Sequence, residues 1–270
     1  MMESRFIQFD GIVNARDIGG LSVSDGRTVK SGVFFRTGSL ANASEEDLKW
    51  ISDAGIKLIF DFRCDFETMH SPDKEVRGVR RHNPQVVNTN GNLFKLLFQD
   101  GTSQMPKEQV IVNFVFSPAA KMLTDGFYTS YVTDPDAQSA YASMFRTIID
   151  NGCPPMLAHC SQGKDRTGLA SAFFLAALGA ARETIRDEFD LSNVYYEDDV
   201  RKVWDIVSKE PEAGDEHRQI VQGIFGANTS WFEDAMDLID ETYGSISNYL
   251  SSCLLLTEND ISILRNAYLI

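Results

Sequence analysis

The sequence predicts an α/β protein: a mainly parallel sheet flanked by helices, with a helical C-terminal third. Three observations carry that reading. Short β-type runs alternate with helical stretches through the first half of the chain, the pattern of a parallel sheet covered by helices. The run Ile56–Phe62 is near-continuously apolar, as expected of a strand buried on both faces. After Ala180 every periodic segment has helical spacing.

The elements follow in order. Gly32–Arg36 reads as a strand. Ser44-Glu45-Glu46-Asp47 opens a helix, with a Ser cap, acids in the first turn and an acid three residues on. Gly55 should stop that helix in the left-handed conformation. Ile56–Phe62 is the buried strand, and Val79–Val87 reads as another. Asn88–Pro118 mixes glycine, proline and polar residues around two apolar patches, which predicts an irregular excursion near the rim of the site. Asp134-Pro135 starts a helix with Asp as cap and Pro in the first turn, and Tyr141, Phe145, Ile148 and Ile149 give it a buried face. Gly152 ends it. Pro155–Ala158 is a short buried strand, and an apolar helix follows from about Thr167 to Leu178. The remaining helices are read at 183–191, 197–208, 217–225, 230–243 and 258–269, with a polar loop at 209–216. The whole chain, 1–270, is expected to form one domain, with 195–250 as a helical lid within it.

Composition narrows the function. At 43% hydrophobic and 24% charged, the chain has the balance of a globular protein. Its net charge of −14 gives no long-range attraction to nucleic acid or anionic membrane. No apolar run is long enough for a transmembrane segment, and the N-terminus lacks the basic and apolar regions of a signal peptide. Cys64, Cys153, Cys160 and Cys253 include no CxxC pair and are too sparse for a disulfide framework, which fits the cytoplasm. Export by a route without a signal peptide is compatible with this. The scattered His70, His82, His159 and His217 suggest no metal site.

The informative stretch is His159-Cys160-Ser161-Gln162-Gly163-Lys164-Asp165-Arg166-Thr167-Gly168, between a buried strand and a helix. A loop entering a helix N-terminus turns its backbone N–H groups inward and adds the positive end of the dipole. The N–H groups of Ser161, Gln162, Gly163 and Lys164 can therefore bind a tetrahedral dianion, with Gly163 permitting the tight turn. A thiol held there should become a thiolate and a nucleophile, a role for Cys160. The planar guanidinium of Arg166 can bind two phosphate oxygens together. Thr167 is placed to donate to the thiolate or to hold the loop, and His159 to fix the loop from behind. A Cys and an Arg six positions apart is a weak signal alone. The flanking His, Gly and Thr-Gly at a strand-to-helix junction make it strong. The Gly-Lys pair does not form a nucleotide P-loop, because Ala158 replaces the first Gly and Asp165 replaces the magnesium-binding Ser or Thr.

These residues closely resemble the signature of the atypical bacterial tyrosine phosphatases. The segment Asn14-Ala15-Arg16-Asp17-Ile18-Gly19-Gly20 is similar to that family's other hallmark. Arg36–Leu40, Asp61-Phe62-Arg63 through Glu67, and Asp190–Asn193 are similar to further family segments, in the family's order. Phe62 departs from a usual leucine. The resemblance implies a cysteine-phosphatase fold of the phosphotyrosine phosphatase II-like kind, no cofactor, and Asp165 as the general acid. Asp61 and Asp65 are the alternatives for that acid, and Asp165 could instead brace the loop against Arg16 or Arg63. Arg63 reads more as a structural ion-pair partner than as a ligand. Lys164 adds a second cation, which favours substrates with more than one phosphate; in similar enzymes it accompanies phosphoinositide activity. Cys64 could approach Cys160 and protect it as a reversible disulfide.

The expected function is a metal-independent phosphomonoester hydrolase working through phosphocysteine. Its partners would be a phosphorylated protein or small phosphomonoester, with phosphoinositide as a further substrate and inorganic phosphate as product. The alternatives are a catalytically silent phosphate-recognition module, or cysteine chemistry such as sulfur transfer or arsenate reduction.

Overall fold

The computed structural model describes residues 5–87, 106–124 and 126–270. Its sheet holds β1 (Arg16–Asp17), β2 (Phe34–Thr37), β3 (Leu58–Asp61), β4 (Arg80–His82) and β5 (Met156–His159) in the order β1-β2-β5-β3-β4. Only β1 is antiparallel; the other pairings are parallel. Side chains on the strands alternate between faces. Phe34, Leu58, Phe60, Met156 and Ala158 enter one core cluster, while Phe35, Ile59 and Leu157 enter the other. The sheet is therefore covered on both sides, as the apolar runs require.

On one face lies α1 (Glu45–Asp53). Its cap is the capping box foreseen: Ser44 Oγ accepts from the Asp47 amide at 3.1 Å and Asp47 Oδ2 accepts from the Ser44 amide at 2.9 Å. On the other lie α6 (Pro135–Asp150), capped by Asp134, and α7 (Asp165–Leu178), which is buried along most of its length. The C-terminal third is helical: α8 (Arg182–Asp190), α9 (Ser192–Val207), α10 (Asp215–Phe225), α11 (Thr229–Tyr243), α12 (Ile246–Ser252) and α13 (Glu258–Tyr268).

Several expectations needed correction. Residues 88–105 lie outside the described residues, but 106–118 is not irregular: α3 (Lys107–Val115) forms there, and α4 (Pro118–Thr124) and α5 (Phe127–Thr133) follow. Phe114 and Val115 pack with Val203, Val207, Ile220 and Val221 in a third cluster, so the apolar patch within 106–118 is the buried side of a helix. The strand expected over 79–87 shrinks to β4, with Val86 rejoining the sheet edge through its amide to the Phe62 carbonyl at 3.1 Å. A short helix not foreseen, α2 (Asp65–His70), stands between β3 and β4.

The register sets the site. Thr37 and Asp61 both lie opposite His159, so β2, β5 and β3 end level. The loop after His159 therefore emerges mid-sheet at the carboxyl ends of the strands, where open α/β sheets bind ligands.

Candidate active site

The loop 160–166 is shaped from behind by its carbonyls. Asn14 Nδ2 donates to the carbonyls of Gln162 at 3.1 Å and Gly163 at 3.0 Å. Arg36 Nη2 donates to those of Gly163 at 2.8 Å and Lys164 at 3.2 Å. The Tyr196 hydroxyl donates to Gln162 at 2.6 Å, and the Ser39 amide to Ser161 at 3.1 Å. With its carbonyls tied outward, the loop turns its N–H groups the other way. Among the described residues, no acceptor pairs with the N–H groups of Ser161, Gln162, Gly163 or Lys164.

The ties are buried. Glu188 sits between Arg16, at 2.8 Å, and Arg36, at 2.9 Å, all three shielded from solvent. Burial, reinforced by Arg16, lowers Arg36 to about 10, and Glu188 opposes that shift. Asn14 holds φ +55°, a conformation asparagine tolerates, and its side-chain oxygen accepts from Arg16. Gly163 holds φ +66°, and a Cβ there would stand 2.1 Å from the Thr37 carbonyl oxygen.

Cys160 is buried at the mouth of β5, and Arg166 lies in the first turn of α7. Arg166 forms a two-bond fork with Glu67, Nη1–Oε2 2.6 Å and Nη2–Oε1 2.7 Å. Glu67 also receives the Ser161 hydroxyl and the Cys64 amide. Asp165 is partly exposed. Its Oδ1 accepts from the Tyr128 hydroxyl and its Oδ2 lies 3.8 Å from Lys164 Nζ. Among the described residues, neither Arg16 nor Arg63 pairs with it. The Thr167 hydroxyl is buried with no partner among the described residues.

Lys164 differs from the expectation of a substrate-facing cation. Its amine is buried and donates to the carbonyls of Gly223 at 3.1 Å, Ile224 at 2.8 Å and Gly226. It closes the C-terminal end of α10, where a cation meets the negative end of the helix dipole. Burial lowers its pKa, with Asp165 opposing.

Asp61, His159 and Asp73 cluster behind the start of the loop 160–166. His159 Nδ1 donates to the Cys160 carbonyl at 3.2 Å, while its Nε2 lies 3.2 Å from Asp73 without hydrogen-bond alignment. Burial lowers the His159 pKa. Three potential metal ligands meet here, yet two guanidiniums already neutralise the carboxylates. Arg63 bonds Asp61 at 2.8 Å and Asp73 at 2.6 Å, and Arg81 reaches both. Asp61 is thereby held below the usual carboxylate range despite burial, mainly by Arg63. Asp65 is exposed and accepts from Gln85 instead. Cys64 and Cys160 are both free thiols; burial pushes the Cys64 thiol up.

Sequence reasoning missed Tyr128, Tyr196, Glu188 and Asp73, and gave no role to Glu67, Asn14 and Arg36, which lie in the family-like segments quoted above. For Glu67 a signal existed in the Asp61…Arg63…Glu67 spacing. The others act across large sequence separations.

A cysteine and an arginine bracketing an amide-lined loop, at the carboxyl end of a parallel strand, define a cysteine-based phosphatase site. The chain belongs to the tyrosine phosphatase family, whose model matches residues 7–270. A Cupriavidus necator protein, named among the tyrosine-protein phosphatases, is 32% identical over 97% of this chain and 88% of its own. The triple specificity protein phosphatase PtpB of Mycobacterium tuberculosis is 25% identical over 90% of this chain and 92% of its own. A tyrosine-protein phosphatase of Nostoc commune is 24% identical over 63% of this chain and 51% of its own.

Proposed function

We propose that this chain hydrolyses phosphomonoesters through a phosphocysteine intermediate, with phosphotyrosine in protein as the first substrate class. One observation carries the reading: every loop carbonyl from Ser161 to Lys164 is tied outward, leaving a cradle of N–H donors between Cys160 and Arg166. Cys160 Sγ attacks phosphorus as the ester P–O bond breaks. Arg166 and the loop amides bind the non-bridging oxygens as their charge develops. Asp165, oriented by Tyr128, gives its proton to the leaving oxygen. Water then attacks the phosphocysteine, Asp165 takes the proton back, and inorganic phosphate leaves with the thiolate restored. Positive charge comes from Arg166 and the amides, so no step calls for a metal or cofactor.

Finer specificity belongs to the same proposal. A specificity broader than phosphotyrosine is supported by the words triple specificity in the name of the mycobacterial relative. Phosphoinositide activity loses its main argument, because the Lys164 amine is engaged by α10. The net charge of −14 argues against nucleic acid as a partner. No described helix is long and apolar enough to cross a membrane, and a reducing compartment such as the cytoplasm suits a working thiol. The chain acts as one domain, with residues 195–250 as a cover fastened to the loop through Tyr196 and Lys164.

The test is turnover of p-nitrophenyl phosphate in EDTA, inhibition by vanadate, and loss of turnover in Cys160→Ser. A Cys160→Ser protein with full activity rules out the assignment. Tight phosphopeptide binding without phosphate release would favour a recognition module instead.

A further inference from the structure

A cavity of about 220 Å³ opens between the start of α5 and the start of α11, and none of its lining residues belongs to the loop 160–166. Phe127, Tyr128 and Trp231 line it with aromatic rings, and Thr124, Thr129 and Asp234 with polar side chains. We propose that this cavity is a cation site that takes an ammonium or guanidinium group. It lies outside the cradle and does not depend on the phosphatase reading.

The polar lining is short of donors. The Thr124 hydroxyl donates to the Lys121 carbonyl and the Thr129 hydroxyl to the Gly126 carbonyl, each at 3.0 Å. The Tyr128 hydroxyl proton goes to Asp165. With those protons committed, the three oxygens can only accept. Asp234 adds an exposed carboxylate. Arg182 bonds Glu233, Asp237 and Asp240 along α11 and leaves Asp234 aside; among the described residues no ion pair or hydrogen bond engages it. The Trp231 indole N–H is the remaining side-chain donor of the lining. Positive charge with N–H donors matches these walls, and an anion does not.

The rings are held before any ligand arrives. The centroids of Phe127 and Trp231 lie 6.4 Å apart, with the planes tilted by 53°. A cation in that wedge can lie within about 6 Å of both, the range over which ring faces attract charge, tryptophan most of all. Trp231 is seated against Gly223 of α10, where a Cβ would stand 1.9 Å from its Cζ3. Glycine inside a helix costs about 1 kcal/mol relative to alanine, and here its bare backbone admits the indole. Phe127 meets Tyr128 and Tyr131 edge-on, with centroids 5.2 and 5.4 Å away. The net charge of −14 adds a field that draws cations.

Tyr128 lines the cavity and its hydroxyl reaches Asp165, so the cation site is one side chain removed from the catalytic loop. The cation can come from a basic residue of a phosphoprotein held in the cradle or from a free organic cation, and the test separates the two.

The Trp231 indole N–H signal, assigned with Trp231→Phe, is followed by NMR as ethylguanidinium chloride is added, against sodium chloride and sodium acetate at equal ionic strength. Ethylguanidinium should move the signal saturably and the sodium salts should not. Asp234→Asn, a substitution at an exposed position, should weaken that binding at least about 5-fold. Should Trp231→Phe not fold, calorimetry with ethylguanidinium on the unaltered protein and on Asp234→Asn reads the same difference. A second arm uses the Cys160→Ser protein and phosphotyrosine peptides with arginine or alanine near the phosphotyrosine. Tighter binding of the arginine peptide, lost in Asp234→Asn, assigns the cation to the substrate; a response to ethylguanidinium without that gain assigns it to a free cation. Absence of a saturable shift, equal binding in Asp234→Asn, or a stronger response to acetate overturns the site.

Discussion

The guanidinium of Arg166 and the carboxylate of Glu67 meet in two parallel hydrogen bonds of 2.6 and 2.7 Å, joining α7 to the third position of α2. The pair fixes the plane of the guanidinium over the loop before any anion arrives. Glu67→Gln keeps the shape and removes the charge. We expect kcat/KM toward p-nitrophenyl phosphate to fall about 100-fold, near 3 kcal/mol of lost transition-state binding. Unchanged kinetics would show that Arg166 needs no such holder.

The same pair makes stability depend on acid. Burial works against charge on Glu67, but Arg166, the Ser161 hydroxyl and the Cys64 amide outweigh it and hold the carboxyl at about 2. A depressed folded value stabilises the native state above the ordinary 4.5 and loses that contribution as pH falls toward 2. The displacement corresponds to about 3 kcal/mol. Urea unfolding between pH 5 and 2 should therefore show a steep loss, and Glu67→Gln a visibly flatter one. Parallel slopes for the two proteins would contradict this account.

Gly163→Ala puts a methyl 2.1 Å from the Thr37 carbonyl oxygen, at a residue with φ +66°. Both the clash and the left-handed backbone oppose it. The loop must move or the protein must open. Turnover should fall at least about 100-fold, and thermal stability by about 2 kcal/mol or more. Near-normal activity would mean the loop adopts another path.

Lys164→Met removes an amine that serves three carbonyls at the end of α10. Stranding those acceptors should cost about 1–3 kcal/mol in chemical unfolding, with faster amide exchange at the end of α10. A variant of unchanged stability whose KM rises only for bisphosphorylated esters would instead show the amine turned toward substrate.

Asp165→Asn cannot give a proton to the leaving oxygen. General acids of this kind contribute about 10²–10⁴-fold, and most for poor leaving groups. The variant should lose far more kcat with phenyl phosphate than with p-nitrophenyl phosphate. An equal loss for both would assign Asp165 to positioning only.

How much of this was legible depends on sequence distance. The cradle is contiguous: Cys160 through Thr167 run from the end of one strand into the first turn of one helix, so their order states their geometry. The Ser44–Asp47 capping box and the Asp134-Pro135 start were readable for the same reason, since caps act within one helical turn. The stretch 106–118 was misread because its glycine and proline neighbours masked a helix whose apolar side packs against α4, α9 and α10. Helix α2 is short, and Cys64 stands where a Ser, Thr, Asp or Asn cap would mark its start, so only the acids of its first turn signal it.

By itself the sequence determined the class of fold, the placing of Cys160 and Arg166 at the two ends of a loop that enters a helix, and the acidic net charge. Those features rest on local pattern and on composition, which the chain order preserves. Tertiary structure alone decided that Glu67 holds Arg166, that Asn14 and Arg36 pull the loop carbonyls back, and that Lys164 fastens α10 rather than reaching outward. Each of these joins residues more than fifty positions apart. A buried cation or carboxylate takes whichever partner packing brings within about 3 Å, and that choice is written in the fold, not in the spacing along the chain.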